Sequence, residues 1–156
     1  MKKILICIVV LCAMRLLGAE AVDITIGEGT GTIRHPFNDR YVHSRSQCIY
    51  LESEISKIGT IHKLRWYSGV SRVGVDAIQN TQIWLKTISH NVFTDNAWED
   101  PGTLVCQIEN IDLSTDVGWY EVKINDFEYM GGNLMVSVYN QYAKTTNNGV
   151  ESQTLV

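Results

Sequence analysis

Residues 119–139, WYEVKINDFEYMGGNLMVSVY, decide how the rest of the chain is read. From Trp119 to Asn125, Tyr120, Val122 and Ile124 fall on one face, and Trp119, Glu121, Lys123 and Asn125 on the other. From Asn133 to Tyr139, Leu134, Val136 and Val138 face one way while Met135, Ser137 and Tyr139 face the other. Successive side chains of a strand point to opposite faces, so this period of two predicts strands with one buried side. Gly131-Gly132 between the runs supplies positive φ and predicts a tight hairpin.

The same pattern recurs outward. Val22, Ile24 and Ile26 alternate with Asp23 and Thr25, and Leu104, Cys106 and Ile108 with Val105 and Gln107. Further strands are expected near Gln47–Leu51, Thr60–Tyr67 and Thr81–Ile88, all rich in residues that suit a pleated surface. Gly27, Gly29 and Gly31, Ser68-Gly69, Gly74, and Asp100-Pro101-Gly102 punctuate them as turns. No helix of ordinary length is expected. Glu52–Lys57 suits a single turn, and His90 to Asp100 reads as a long loop with a short helical turn at Asp95–Trp98. Many short strands with turn punctuation predict an all-β fold: an antiparallel β-sandwich, jelly-roll-like.

The first 21 residues are a separate matter. Lys2 and Lys3 precede an apolar run from Ile4 to Met14, and Ala19-Glu20-Ala21 fits a small-residue cleavage site. That layout is a secretory signal peptide. The run is about half the ~20 residues a membrane span needs. The expectation is an exported chain, extracellular or at the cell surface, with no membrane span after cleavage and a single domain over 22–156. Removing Lys2, Lys3, Arg15 and Glu20 takes the 13 basic and 17 acidic residues to 10 and 16, a formal net charge of −6. Nucleic acid needs clustered Lys and Arg, and Arg34, Arg40 and Arg45 form only a loose group, so a nucleic-acid partner is not expected. After Tyr142 the chain is polar and weakly patterned, which suits a frayed end.

Two cysteines remain after cleavage. Cys48 and Cys106 either form a disulfide, as export permits, or stay two buried thiols. Bridging needs Cα atoms within ~7 Å, which sequence alone does not supply.

The segment DITIGEGTGTIRHPFNDRYVHSRSQCIYLESEI resembles the start of a β-sandwich module that recurs in large secreted and surface proteins of Bacteroidetes-like and related bacteria. The resemblance rests on Ile26–Thr30, Pro36-Phe37-Asn38 and Ser44–Tyr50. It continues through GTIHKLRWYSG, IWLKT, NAWEDPGTLV and GWYEVKINDFEYMGGNLMVSVYN, over nearly all of residues 23–140. It implies adhesion, display or assistance to an attached enzyme, and it brings no catalytic residues. Such modules continue past the strand matching Leu134–Tyr139. The resemblance therefore implies a truncated copy that lacks a final strand.

Little else points to chemistry. The glycines of IGEGTGT have G-x-G-x-G spacing and no helix start behind them, so they read as a turn and not a phosphate cradle. Ser71 in Gly69–Gly74 misses a nucleophile elbow by one residue. His35, His43, His62 and His90 are dispersed. Glu52 and Glu54, two apart, would share a strand face, where solvated charge explains them as well as acid–base work. The metal candidate is a Ca2+ loop with Asp95, Glu99 and Asp100, although the D-x-D-x-D-G arrangement is missing. No other cofactor is implied. Trp66, Trp84, Trp98 and Trp119 are many for this length. Large aromatics mostly bury, so the core is the preferred place for these indoles. Trp98 and Trp119, in a loop and on a polar face, are the alternative: a binding platform for an extracellular protein or polysaccharide. A non-catalytic binding module is the leading expectation, with a secreted hydrolase or a structural spacer as alternatives.

Overall fold

The computed structural model describes residues 21–27, 36–37, 42–68, 78–94, 97–111, 117–142 and 152–155. Residues 1–20, and with them all but the last residue of the expected leader, lie outside these. The elements are β1 (His43–Tyr50), α1 (Glu52–Ile55), β2 (Gly59–Ser68), β3 (Ile78–Ile88), β4 (Thr103–Ile111), β5 (Gly118–Tyr129), β6 (Asn133–Tyr142) and β7 (Ser152–Leu155). They form a β-sandwich. One sheet has the order β4-β3-β6-β1-β7, and the other pairs β2 with β5. Among the described residues every pairing is antiparallel except the short parallel contact of β7 with β1.

The core lies between the layers. Ile78, Ile83, Leu85, Cys106, Ile111, Leu134, Val136 and Val138 from the larger sheet meet Val122 and Tyr129 from β5, with Leu64, Trp66 and Tyr120 packed against them. The alternation expected for β5 and β6 is borne out at these positions. β6 is buried on both sides: Met135 and Ser137, on its other face, are as inaccessible as Leu134 and Val136. The cover on that side is the loop between β3 and β4. Gln47 of β1 holds it, donating from Nε2 to Glu99 O (2.9 Å) and to Ser137 Oγ (3.1 Å), while Glu99 N donates to Gln47 Oε1 (3.1 Å).

The hairpin expected at Gly131-Gly132 does not form. β5 pairs with β2, and β6 lies between β1 and β3 in the other layer. The two glycines do take positive φ, +106° and +87°, but they carry the chain from one layer to the other. The Tyr129 hydroxyl donates to Gly132 O across this turn. Asn133 fastens the far side, accepting from Glu52 N and donating to His90 O, both at 2.9 Å. A Cβ on Gly132 would meet Thr87 Cγ2 at 2.9 Å and Ile88 O at 3.4 Å. Gly132→Ala is therefore expected to cost about 2 kcal/mol, through backbone strain and that contact. A urea midpoint unchanged from wild type would show that the turn relaxes freely.

Bulges break the alternation in three places. Between β3 and β4, Ile83 pairs with Cys106 and Trp84 with Leu104, so Val105 is an extra residue in β4. Val105 joins the core and Leu104 turns outward, which corrects the expectation that Leu104 shares a face with Cys106 and Ile108. In β5 the register slips between Lys123 and Phe127, so Phe127 and Tyr129 continue the inward face of Val122 with shifted parity. In β3, Asn80 takes φ +46° opposite β6, and its Nδ2 donates to Gln141 Oε1 at 2.6 Å. The next residue, Thr81, is fully buried, and its hydroxyl has no hydrogen-bond partner among the described residues. A buried hydroxyl without a partner keeps its desolvation cost, about 1–3 kcal/mol. Thr81→Val keeps the branched shape, so stability should hold or rise by up to about 1 kcal/mol. A measured loss above that range would reveal a partner.

Two ends of the chain differ from expectation. Residues 21–27 are not hydrogen-bonded into a strand. Val22 and Ile24 face solvent, while Ile26 packs on the core. At the other end, the polar tail forms β7 on the free edge of β1, pairing Ser44–Gln47 with Ser152–Leu155. β1 itself starts earlier than expected. Its inward Ser44 and Ser46 are buried, and Ser44 Oγ donates to Asn140 Oδ1 at 2.5 Å. Asn140 in turn donates to Pro36 O at 2.8 Å. That places Phe37 between the layers, edge-on to Trp66 (5.1 Å, 85°) and Tyr120 (5.6 Å, 81°).

Candidate functional site

β2 and β5 each alternate, so their inward Leu64, Trp66, Tyr120 and Val122 leave Lys63, Arg65, Tyr67, Trp119, Glu121 and Lys123 facing outward. Tyr67 and Trp119 are direct cross-strand partners. Their rings meet edge to face at 5.5 Å and 69°. Both are open to solvent, 60% and 52% exposed. The Arg65 guanidinium lies 5.6 Å from the centre of the Trp119 ring, and Asp23 Oδ2 holds it at 2.7 Å. Beside them Lys63 Nζ sits 3.3 Å from Glu121 Oε2. The result is two exposed rings on a ladder, with Arg65 and Lys63 each paired to a carboxylate and Lys123 carrying no ion pair among the described residues.

This site overlaps the expected platform only at Trp119. Trp98 is half-buried, in the loop that Gln47 holds on the far side of the larger sheet. The core lies between it and Trp119, so the two do not make one surface. Tyr67 takes the second place. Its signal was present in the sequence: it follows Lys63 and Arg65 at a spacing of two, on the polar face of its strand. Trp66 packs against the core. Trp84 is half-buried on the outer face of the larger sheet, opposite Ser137 and Leu104.

The other candidates are dispersed or occupied. Cys48 and Cys106 are free thiols. They lie on β1 and β4 with β6 and β3 between them, roughly 14 Å of strand spacing, so the considered disulfide does not form. Burial pushes both thiols up, which disfavours a reactive thiolate. Glu99 Oε1 pairs with His90 Nε2 at 2.7 Å. Asp100 Oδ2 pairs with Lys86 Nζ at 3.1 Å, a contact that holds its carboxyl below the usual range. Asp95 lies outside the described residues. Glu99 and Asp100 therefore do not converge as a calcium loop would require, and no group of three His, Cys, Asp or Glu clusters among the described residues.

Hydrolytic groupings fare similarly. Ser71 and His35 lie outside the described residues. His43 Nδ1 contacts the Tyr139 hydroxyl at 2.8 Å, and His62 Nδ1 meets Asp126 Oδ1 at 2.7 Å on the open surface. Glu52 and Glu54 lie on α1, the single turn expected at Glu52–Lys57, so the strand face they would have shared does not arise, and Glu54 Oε2 accepts from Leu51 N at 2.8 Å. Among the described residues no helix is long and apolar enough to cross a membrane. Compared with known proteins, the chain matches no family model, no curated protein and no solved structure.

Proposed function

We propose that this chain is an exported, non-catalytic β-sandwich module that binds an extracellular ligand through the outer face of β2 and β5. The observation that carries this is the Tyr67–Trp119 pair. Two large aromatic side chains stand in solvent, side by side, on a ladder with its own packed core beneath. Aromatic rings that are solvent-exposed and geometrically fixed lose little entropy on binding and commonly anchor recognition. The signal-peptide layout and the resemblance to secreted surface modules support an extracellular setting and a jelly-roll kinship.

The test is direct. Purified chain should be screened against arrayed glycans and extracellular proteins as wild type, Trp119→Ala and Tyr67→Ala. Each truncation is expected to weaken the captured interaction at least tenfold, about 1.4 kcal/mol or more. It should change stability by less than about 1 kcal/mol, because both rings are largely exposed. Binding untouched by both substitutions would remove this face from consideration.

A further inference from the structure

We infer that the Tyr67–Trp119 notch receives one uncharged sugar residue of a polysaccharide chain; the inference rests on the binding face proposed above. Size is the first argument. A fully buried Tyr or Trp covers ~150–250 Å², so two rings exposed by half to three-fifths offer roughly 200–250 Å². A stable protein partner needs about 800 Å² on each side. Along the ladder the patch ends at the outward Lys63, Arg65, Glu121 and Lys123, and towards the start of β5 the exposed Val117 adds only one aliphatic side chain to it. The area suits a sugar ring and falls well short of a protein interface.

Charge is the second argument. Arg65 is held by Asp23 at 2.7 Å and Lys63 by Glu121 at 3.3 Å. At the rings themselves an acidic sugar would meet an Arg65 already seated on Asp23, and a basic ligand would meet carboxylates already seated on Arg65 and Lys63; Lys123, which has no ion pair among the described residues, lies four residues along β5 from Trp119, roughly 13 Å away. A neutral sugar needs no charged partner. Its C–H face packs on the open part of the Trp119 ring, while its hydroxyls find the Tyr67 hydroxyl and the polar groups around it.

Ring geometry limits the contact further. Planes 69° apart cannot both lie flat against one sugar face. One ring stacks and the other closes the side of the notch, so a single residue is gripped per module. Such a small contact gives weak binding, with Kd on the order of a millimolar. Tight retention on a surface would come from several modules acting together.

The experiment is two-dimensional NMR of the chain lacking residues 1–21, which is the exported form, titrated with linear hexasaccharides of glucose, mannose and xylose and with hexagalacturonate as the charged counterpart. The expected result is saturable shifts at the Trp119 indole N–H and at Tyr67 with at least one neutral sugar. Trp119→Ala should weaken them at least tenfold with the remaining spectrum intact. Tyr67→Phe should keep the stacking wall and weaken binding by less than Tyr67→Ala does. The inference is overturned if only hexagalacturonate binds, if shifts map elsewhere, or if no neutral hexasaccharide binds. In that last case, a protein ligand still lost on Trp119→Ala would leave the broader binding reading standing. Indifference of every ligand to Trp119 and Tyr67 would end both.

Discussion

Phe37→Ala should lower the unfolding free energy by about 3–5 kcal/mol, the range for removing a buried ring that leaves a cavity behind. Phe37 is only 6% exposed and joins the core cluster. It meets Trp66 and Tyr120 edge to face, and such pairs contribute about 0.5–1.5 kcal/mol each beyond burial. The loss is amplified by position. The residue before it, Pro36, is bonded to Asn140 of the larger sheet, while the ring sits among aromatics of the smaller sheet. One side chain therefore fills the seam where the layers meet. For a domain whose whole stability is about 5–15 kcal/mol, this is a large fraction. The check is urea unfolding followed by tryptophan fluorescence, expecting a lower midpoint with little change in slope. Phe37→Leu keeps most of the volume and should cost roughly half as much. A loss below about 1.5 kcal/mol for the alanine variant would mean that the ring is not seated as described.

The second large effect is expected at Gln47. Its amide makes three hydrogen bonds while only 1% exposed, two of them to the backbone of Glu99 and one to Ser137. Leucine at this position has a similar volume and none of those bonds. It would strand a backbone N–H, a backbone C=O and a hydroxyl, each costing about 1–3 kcal/mol if left dry. The loop can lower that cost by lifting into water, so about 2–4 kcal/mol is expected for Gln47→Leu. Hydrogen exchange separates the two contributions. The Glu99 amide should lose protection in the variant, while amides paired between β2 and β5 keep theirs. Unchanged protection at Glu99 would show that something else holds the loop.

Most strands were legible because their inward positions are apolar. Val122, Leu134, Val136, Ile83 and Leu85 announce themselves at a spacing of two. The start of β1 was not legible, because its inward residues are serines, and the partner of Ser44, Asn140, is 96 positions away. Val22, Ile24 and Ile26 carry a strand pattern, yet only Ile26 finds a surface to cover. Gly131-Gly132 correctly signals positive φ, but local turn chemistry is the same whether the next strand pairs alongside or crosses to the opposite layer. The bulge at Val105 has no local signature either; it appears only against Ile83. For the site, Trp119 was legible as an aromatic on a polar face. Its partner Tyr67 depends on a register between strands that sequence alone does not state.

The links from β1 to β2, β2 to β3, β4 to β5 and β5 to β6 all pass from one layer to the other, and β6 is inserted between β1 and β3. The strand that unites the larger sheet is thus made almost last. Until synthesis passes Tyr142, β1 and β3 have bare edges towards each other and nothing to close the gap. Folds dominated by such distant pairings assemble in milliseconds to seconds, not microseconds. A chain of this design stays pliable while it is being made, and it becomes a finished body only once its last third has arrived.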